Sequence, residues 1–161
     1  MRGGGELTAE EQQGFALFMT EYDPVRGRRG ADCFHCHGGA LFTDFAPRNN
    51  GLARDSGDTG REQVSGRASD RGAFKTPSLR NVALTGPYLH DGSVTTLEEI
   101  VARYDHGVQR SATLDPNLAK HPDRGLELTG AEQQALVAFL RALTEISALP
   151  AIPVNSDPTS Q

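Results

Sequence analysis

Residues 31–42 read ADCFHCHGGALF and gather both cysteines of the chain and two of its five histidines into one run: Cys33, Phe34, His35, Cys36, His37. Cys-x-x-Cys-His is the attachment pattern of c-type haem, in which two thiols add to the porphyrin vinyl groups and the adjacent imidazole is held beneath the iron. The spacing has a geometric reason, because on a short helical turn the two Cys side chains reach the ring edge while the next residue projects toward its centre. A redox dithiol would sit naturally at a helix start after a strand, whereas a glycine- and arginine-rich loop precedes this run. Zinc needs four ligands in separated pairs, and no second Cys or His pair stands at a suitable distance. His35, between the cysteines, is expected to face solvent.

The rest of the composition fits a chain that borrows its core. At 161 residues there is room for one domain, but apolar residues make up only 37%, Trp is absent and there are 18 glycines, which describes a loop-rich protein with few, short helices. A large apolar ring would supply the burial such a chain lacks. No run is long and apolar enough to span a membrane, and a net charge of −5 argues against a general nucleic-acid binder. The start, MRGGGELTAEE, lacks the apolar stretch and small-residue cleavage site of a signal peptide.

Helix starts are marked by three capping boxes, in which a Thr hydroxyl takes an orphan helix amide and a Glu three residues on returns to the cap amide. Thr8 and Glu11 open a helix from about Ala9 to Thr20, with Phe15, Phe18 and Met19 on one side and Gly14 placed to allow another helix close. Thr96 and Glu99 open LEEIVARY, with Leu97, Ile100, Val101 and Tyr104 on one face and Gly107 closing it. Thr129 and Glu132 open GAEQQALVAFLRALTEI, with Leu136, Val137, Leu140 and Leu143 as its apolar stripe. Pro24, Gly27 and Gly30 make a loop of the approach to the cysteines. Residues 43–71 read as a long surface excursion, and residues 74–93 as buried but irregular. No strand pattern stands out. The chain divides into a linker or truncated start at 1–7, a domain at 8–146 and a tail at 147–161.

The runs CFHCHGGALFTDFAPRNNGL, FKTPSLRNVALTGPYLHDGSVTTLEEIVARY and LDPNLAKHPDRGLELTGAEQQALVAFLRALT resemble, in order and spacing, the C-terminal haem domain of bacterial dihaem cytochrome c peroxidases and their MauG-like relatives. The resemblance runs from Glu6 to about Ala148. It implies an all-α, class I cytochrome c-like fold in which the first and last helices cross. It implies that Cys33 and Cys36 anchor one covalently bound haem c, with His37 as proximal iron ligand. In the peroxidases a Met at the end of the helix after the His-Asp-Gly stretch is the distal ligand; this chain has Tyr104 there, as the MauG-like branch does, so Tyr104 is the expected distal ligand. A buried core tyrosine is the plainer alternative.

Three further positions follow from the same resemblance. Thr85 and Pro87 match residues whose backbone carbonyls bind calcium between two haem domains, and His90 matches a histidine near that interface. Lys75 and Arg80 are candidates for haem propionates, while His106 and His121 are expected to be exposed. Arg26, Arg28 and Arg29, just before the motif, could ring an exposed haem edge and steer a redox partner. The implied role is electron transfer: accepting electrons from a cytochrome or cupredoxin donor for peroxide reduction at a second haem carried elsewhere, in the periplasm. A stand-alone monohaem carrier is the alternative. The start of the chain falls where family members have their interdomain linker, so a longer parent protein is expected.

Overall fold

The computed structural model describes residues 6–52 and 57–145. The expected linker falls partly, and the expected tail wholly, outside these residues. Six helices are joined by long loops: α1 (Ala9–Met19), α2 (Phe34–His37), α3 (Glu62–Ser65), α4 (Leu97–His106), α5 (Pro116–Ala119) and α6 (Gly130–Ala142). The three long helices start at the three capping boxes, each with both hydrogen bonds formed. Such signals survive into the fold because they are satisfied within four residues.

The helix α1 crosses α6, and no other pair of elements packs as extensively. The crossing is permitted by Gly14. A Cβ there would lie 1.9 Å from the Ala135 carbonyl oxygen and 2.8 Å from Phe139 Cβ, so the two backbones meet where α1 has no side chain. Around this point Phe139 takes Phe18 and Phe15 at ring-centroid distances of 5.2 and 5.3 Å. Phe18, Leu136, Val137, Leu140 and Leu143 are buried as the periodicity requires, and Leu97 and Val101 bring α4 onto the same core. Each fully buried side chain of this kind contributes about 1.5–3 kcal/mol. Phe15 and Met19, expected on the packed side of α1, remain 41% and 45% exposed, and of the three only Phe18 is buried.

Two short antiparallel ladders appear where no strands were expected: β1 (Tyr22–Asp23) with β2 (Arg28–Arg29), and β3 (Pro47–Arg48) with β4 (Phe74–Lys75). At two residues each, these strands are too short to show an alternating pattern. The second ladder corrects the first part of the reading of residues 43–71 as a surface excursion, since Thr43, Asn49 and Gly51 are buried, while residues 57–71 are exposed or half-buried as expected. The Asn49 amide reaches the Arg71 carbonyl (3.2 Å) and Thr113 Oγ1 (2.9 Å), and its Oδ1 accepts from Gly51 N–H (2.9 Å). Gly51 sits at φ +70°, and a Cβ on it would strike Val108 and Gln109. This polar stretch is therefore tied inside the fold by bonds spanning 22 and 64 residues. Among the described residues no helix is long and apolar enough to cross a membrane.

Candidate functional site

The end of α1 and the turn α2 are joined directly, which positions the cysteines. The Leu17 carbonyl accepts from Ala31 N–H (2.9 Å) and the Thr20 carbonyl from Asp32 N–H (3.1 Å). Gly30 lets the chain pass so close to Thr20 that a Cβ would lie 1.8 Å from its carbonyl oxygen. The Cys33 carbonyl then accepts from the amides of Cys36 and His37 at 3.3 and 2.9 Å, closing the expected helical turn.

Both thiols are unbridged and half-buried. Burial pushes Cys33 up to about 12 and Cys36 up to about 11, so both are neutral thiols at physiological pH. A redox dithiol works through a thiolate of lowered pKa, and this environment acts in the opposite direction. Burial likewise holds the His37 imidazole below its ordinary pKa, against the Phe42 and Pro77 carbonyls that favour its protonated form. His37 Nδ1 lies 3.2 Å from the Phe42 carbonyl. A neutral ring tied through one nitrogen to a backbone carbonyl is the usual form of a histidine that offers its other nitrogen to a metal.

Tyr104 comes from the last turns of α4 and shares this half-buried environment near both cysteines. Burial raises its pKa, so the phenol is neutral unless a cation draws off its proton. Its hydroxyl accepts from Asn50 Nδ2 at 3.1 Å. Asn50 was not singled out in the sequence, where it stands in an apparently irregular polar run. Beside it, Arg103 donates from Nη2 to the Gly51 carbonyl (2.6 Å), and its Nη1 is buried without a hydrogen-bond partner among the described residues.

The residues present fit a covalently held haem. Two neutral thiols at the required spacing, an anchored neutral imidazole and a half-buried phenol lie near one another, and Arg103 offers a buried donor suited to an acidic substituent. Phe34, Phe42, Leu79 and Ile100 border the core while staying half-buried, which leaves apolar surface for a ring to cover. The two cations expected to meet propionates are otherwise engaged. Arg80 Nη2 lies 3.2 Å from Glu145 Oε2, and Lys75 Nζ sits 4.9 Å from the centre of the Phe45 ring.

Next to Cys33 lies a buried charge cluster that corrects two histidine assignments. The Asp32 side chain, 1% exposed, is met by Lys120 Nζ at 2.7 Å, His35 Nε2 at 3.0 Å and His121 Nε2 at 3.2 Å. Burial works to raise the pKa of this carboxyl, but hydrogen bonds from His121 and Lys120 outweigh it and hold it below its ordinary value. His121 is thus buried, not exposed, with its ring edge-on to Tyr22 and its carbonyl taken by Arg110. His35 is half-buried on Asp32 rather than facing solvent. His106 is exposed, as expected. On the other side of the turn, Arg48 spans Asp44 and Asp115 at 2.5 and 2.6 Å beside Cys36.

The remaining candidates lie away from this group. Thr85 and Pro87 are on an exposed loop with a cis Gly86–Pro87 bond. His90 stacks on Phe74 (3.7 Å between centroids) and places Nε2 2.7 Å from Asp58 Oδ2. Arg26, Arg28 and Arg29 are exposed, each with a local partner: Asp23, Glu21 and the Glu127 carbonyl. Among the described residues no three His, Cys, Asp or Glu side chains converge to hold a metal ion.

No family model matches the chain. Individual proteins do. A cytochrome-c peroxidase, IdrP2, of Denitromonas iodatirespirans is 31% identical over 169 residues, covering 88% of this chain and 41% of that protein. The methylamine utilization protein MauG of Methylorubrum extorquens is 34% identical over 139 residues, covering 85% of this chain and 35% of that protein. The crystal structure of a MauG-like protein associated with microbial copper homeostasis superposes with a TM-score of 0.76 at 32% identity, over 90% of this chain and 46% of the other. The chain spans roughly two fifths of the length of the curated relatives it matches, at 41% and 35% in the two named.

Proposed function

Since this chain belongs to the family of dihaem cytochrome c peroxidases and MauG-like proteins, matching one part of its members, we propose that it is the electron-transfer haem domain of such an oxidoreductase. One haem c would be tethered through Cys33 and Cys36. His37 would hold the iron from one side and Tyr104 from the other. Bound haem supplies a one-electron ferric–ferrous couple, the chemistry the chain itself lacks. The observation that supports this most is the nearness of Cys33, Cys36, His37 and Tyr104 at half-buried positions, with the His37 ring already anchored on the Phe42 carbonyl.

The surrounding residues set how that couple would behave. Tyr104 is a hard oxygen donor that favours ferric iron, so the potential would lie below that of a Met-ligated haem. Half-buried apolar side chains such as Phe34 and Leu79 keep water from the ring, while the cluster around Asp32 fixes the turn carrying the cysteines. Electrons would arrive from a small cytochrome or cupredoxin donor steered by Arg26, Arg28 and Arg29, and leave for a second haem where peroxide is reduced. Thr85 and Pro87 carbonyls would contribute to a calcium site between the two haem domains, carbonyl oxygen being a suitable ligand for that ion. With haem attached in this way and a partner of this kind, the protein would work in the periplasm.

The test is rapid mixing of the haem-loaded chain with a reduced donor and peroxide. An electron-transfer domain becomes reduced by the donor and does not turn over peroxide faster than free haem. Peroxide turnover by this chain alone would overturn the assignment of that chemistry to a second haem, and failure to accept electrons would overturn the transfer role itself.

A further inference from the structure

We propose that Asn50 is the positioning residue for the distal ligand, its carboxamide N–H donating to the Tyr104 oxygen and thereby setting the reduction potential of the haem. The inference rests on the reading of Tyr104 as that ligand, and it goes beyond it by naming the group that holds and tunes the ligating atom.

The hydrogen bond from Asn50 Nδ2 to the Tyr104 oxygen, 3.1 Å long, joins residues 54 apart in sequence. The loop presenting Asn50 is over-determined. Asn49 is buried and bound to the Arg71 carbonyl, Ser111 and Thr113, and its own Oδ1 holds Gly51 N–H. The Gly51 carbonyl in turn accepts from Gln109 N–H at 3.1 Å and from Arg103 Nη2 at 2.6 Å. Arg103 is the neighbour of Tyr104 on α4, so the loop is latched to the same helix turn that carries the phenol. The backbone of Asn50 is thus fixed from both sides, which keeps its carboxamide within reach of the phenol.

A donor fixed at this atom has a predictable electronic effect. A hydrogen bond to a ligating phenolate withdraws electron density from the oxygen, weakens its donation and favours the ferrous state relative to a bare phenolate, as second-shell donors do for metal ligands generally. It also holds the ring in the rotamer that faces the site. The hydrogen bond is charge-assisted and stronger in the ferrous state, where the ligating oxygen carries more negative charge. The difference between oxidation states corresponds to roughly a tenfold change in the ferric–ferrous equilibrium, about 59 mV for one electron.

The experiment compares the haem-loaded wild-type chain with Asn50→Leu, Asn50→Asp and Tyr104→Phe, by spectroelectrochemical titration and electron paramagnetic resonance of the ferric proteins. Asp matches Asn in shape and, when ionised, cannot donate, so it answers if the Leu variant fails to fold. Both Asn50 variants are expected to keep the wild-type ferric signal while their potentials fall by the tenfold shift or more. Potentials equal to wild type in the folded Asn50 variants, alongside a changed ferric signal in Tyr104→Phe, would overturn the proposal and leave the ligand reading standing. A Tyr104→Phe spectrum identical to wild type would overturn both.

Discussion

Replacing Gly14 by Ala tests the crossing on which the site is built. On an exposed helix the change would stabilise the protein by up to about 1 kcal/mol, because glycine is the poorer helix former. Here the new methyl would lie 1.9 Å from the Ala135 carbonyl oxygen, 2.5 Å from its carbon and 2.8 Å from Phe139 Cβ, all of them held in α6. A backbone carbonyl cannot swing aside as a side chain can, so α1 and α6 must separate. Overpacking of this kind costs about 1–3 kcal/mol and sometimes more, and a backbone obstacle puts the cost at the upper end. After the helix-propensity gain, the net loss is about 2 kcal/mol, or a fall in Tm of about 4–8 °C for a domain of this size. The displacement also reaches the cysteine turn, since the Leu17 and Thr20 carbonyls at the end of α1 hold Ala31 and Asp32. Thermal unfolding of the haem-loaded protein, followed by circular dichroism at 222 nm, reads the loss. A Tm equal to or above wild type would refute the close crossing.

Asp32→Asn should destabilise the chain by about 3 kcal/mol at neutral pH, the lower part of the range for removing one partner of a buried ion pair, because Lys120 is 32% exposed and can rehydrate. The native pKa of Asp32 is lowered, so its stabilisation is complete above the unfolded carboxyl value near about 4 and is lost as pH falls through the native one. Denaturant midpoints of wild type and variant should therefore converge in acid, and a gap that persisted there would contradict the paired carboxylate. Cys36→Ser should retain one haem by denaturing mass spectrometry through Cys33 alone, whereas the double serine variant should carry none. Changing Arg26, Arg28 and Arg29 together to Gln should slow reduction by an acidic donor severalfold at low ionic strength and leave the rate unchanged at high salt; equal rates at low salt would remove the steering role.

The parts of the fold legible in the sequence were those decided locally. Thr8, Thr96 and Thr129 with their glutamates mark helix starts because each box closes within four residues, and Leu136, Val137, Leu140 and Leu143 fall on one face by simple periodicity. The cysteine run was legible for the same reason, its geometry being that of a single turn. His121 was not, because its neighbours Lys120, Pro122, Asp123 and Arg124 look like surface, while the partner that buries it, Asp32, lies 89 residues away. Asn49 and Asn50 were missed similarly: asparagine and glycine in a run signal a loop, and nothing local reveals that this loop is folded under Arg71 and onto Tyr104. Lys75 and Arg80 were chosen by charge and position, yet Arg103, nearer the candidate ligand, carries the unpaired buried nitrogen.

The account turns on whether iron porphyrin is bonded to this chain at residues 33 and 36. Intact mass under denaturing conditions, measured on the chain produced in cells that attach c-type haem in the periplasm, asks this directly. The account predicts the polypeptide mass plus one haem, with tryptic fragments placing it on the peptide containing Cys33 and Cys36. A mass of polypeptide alone, from cells that load a control cytochrome c, would contradict it.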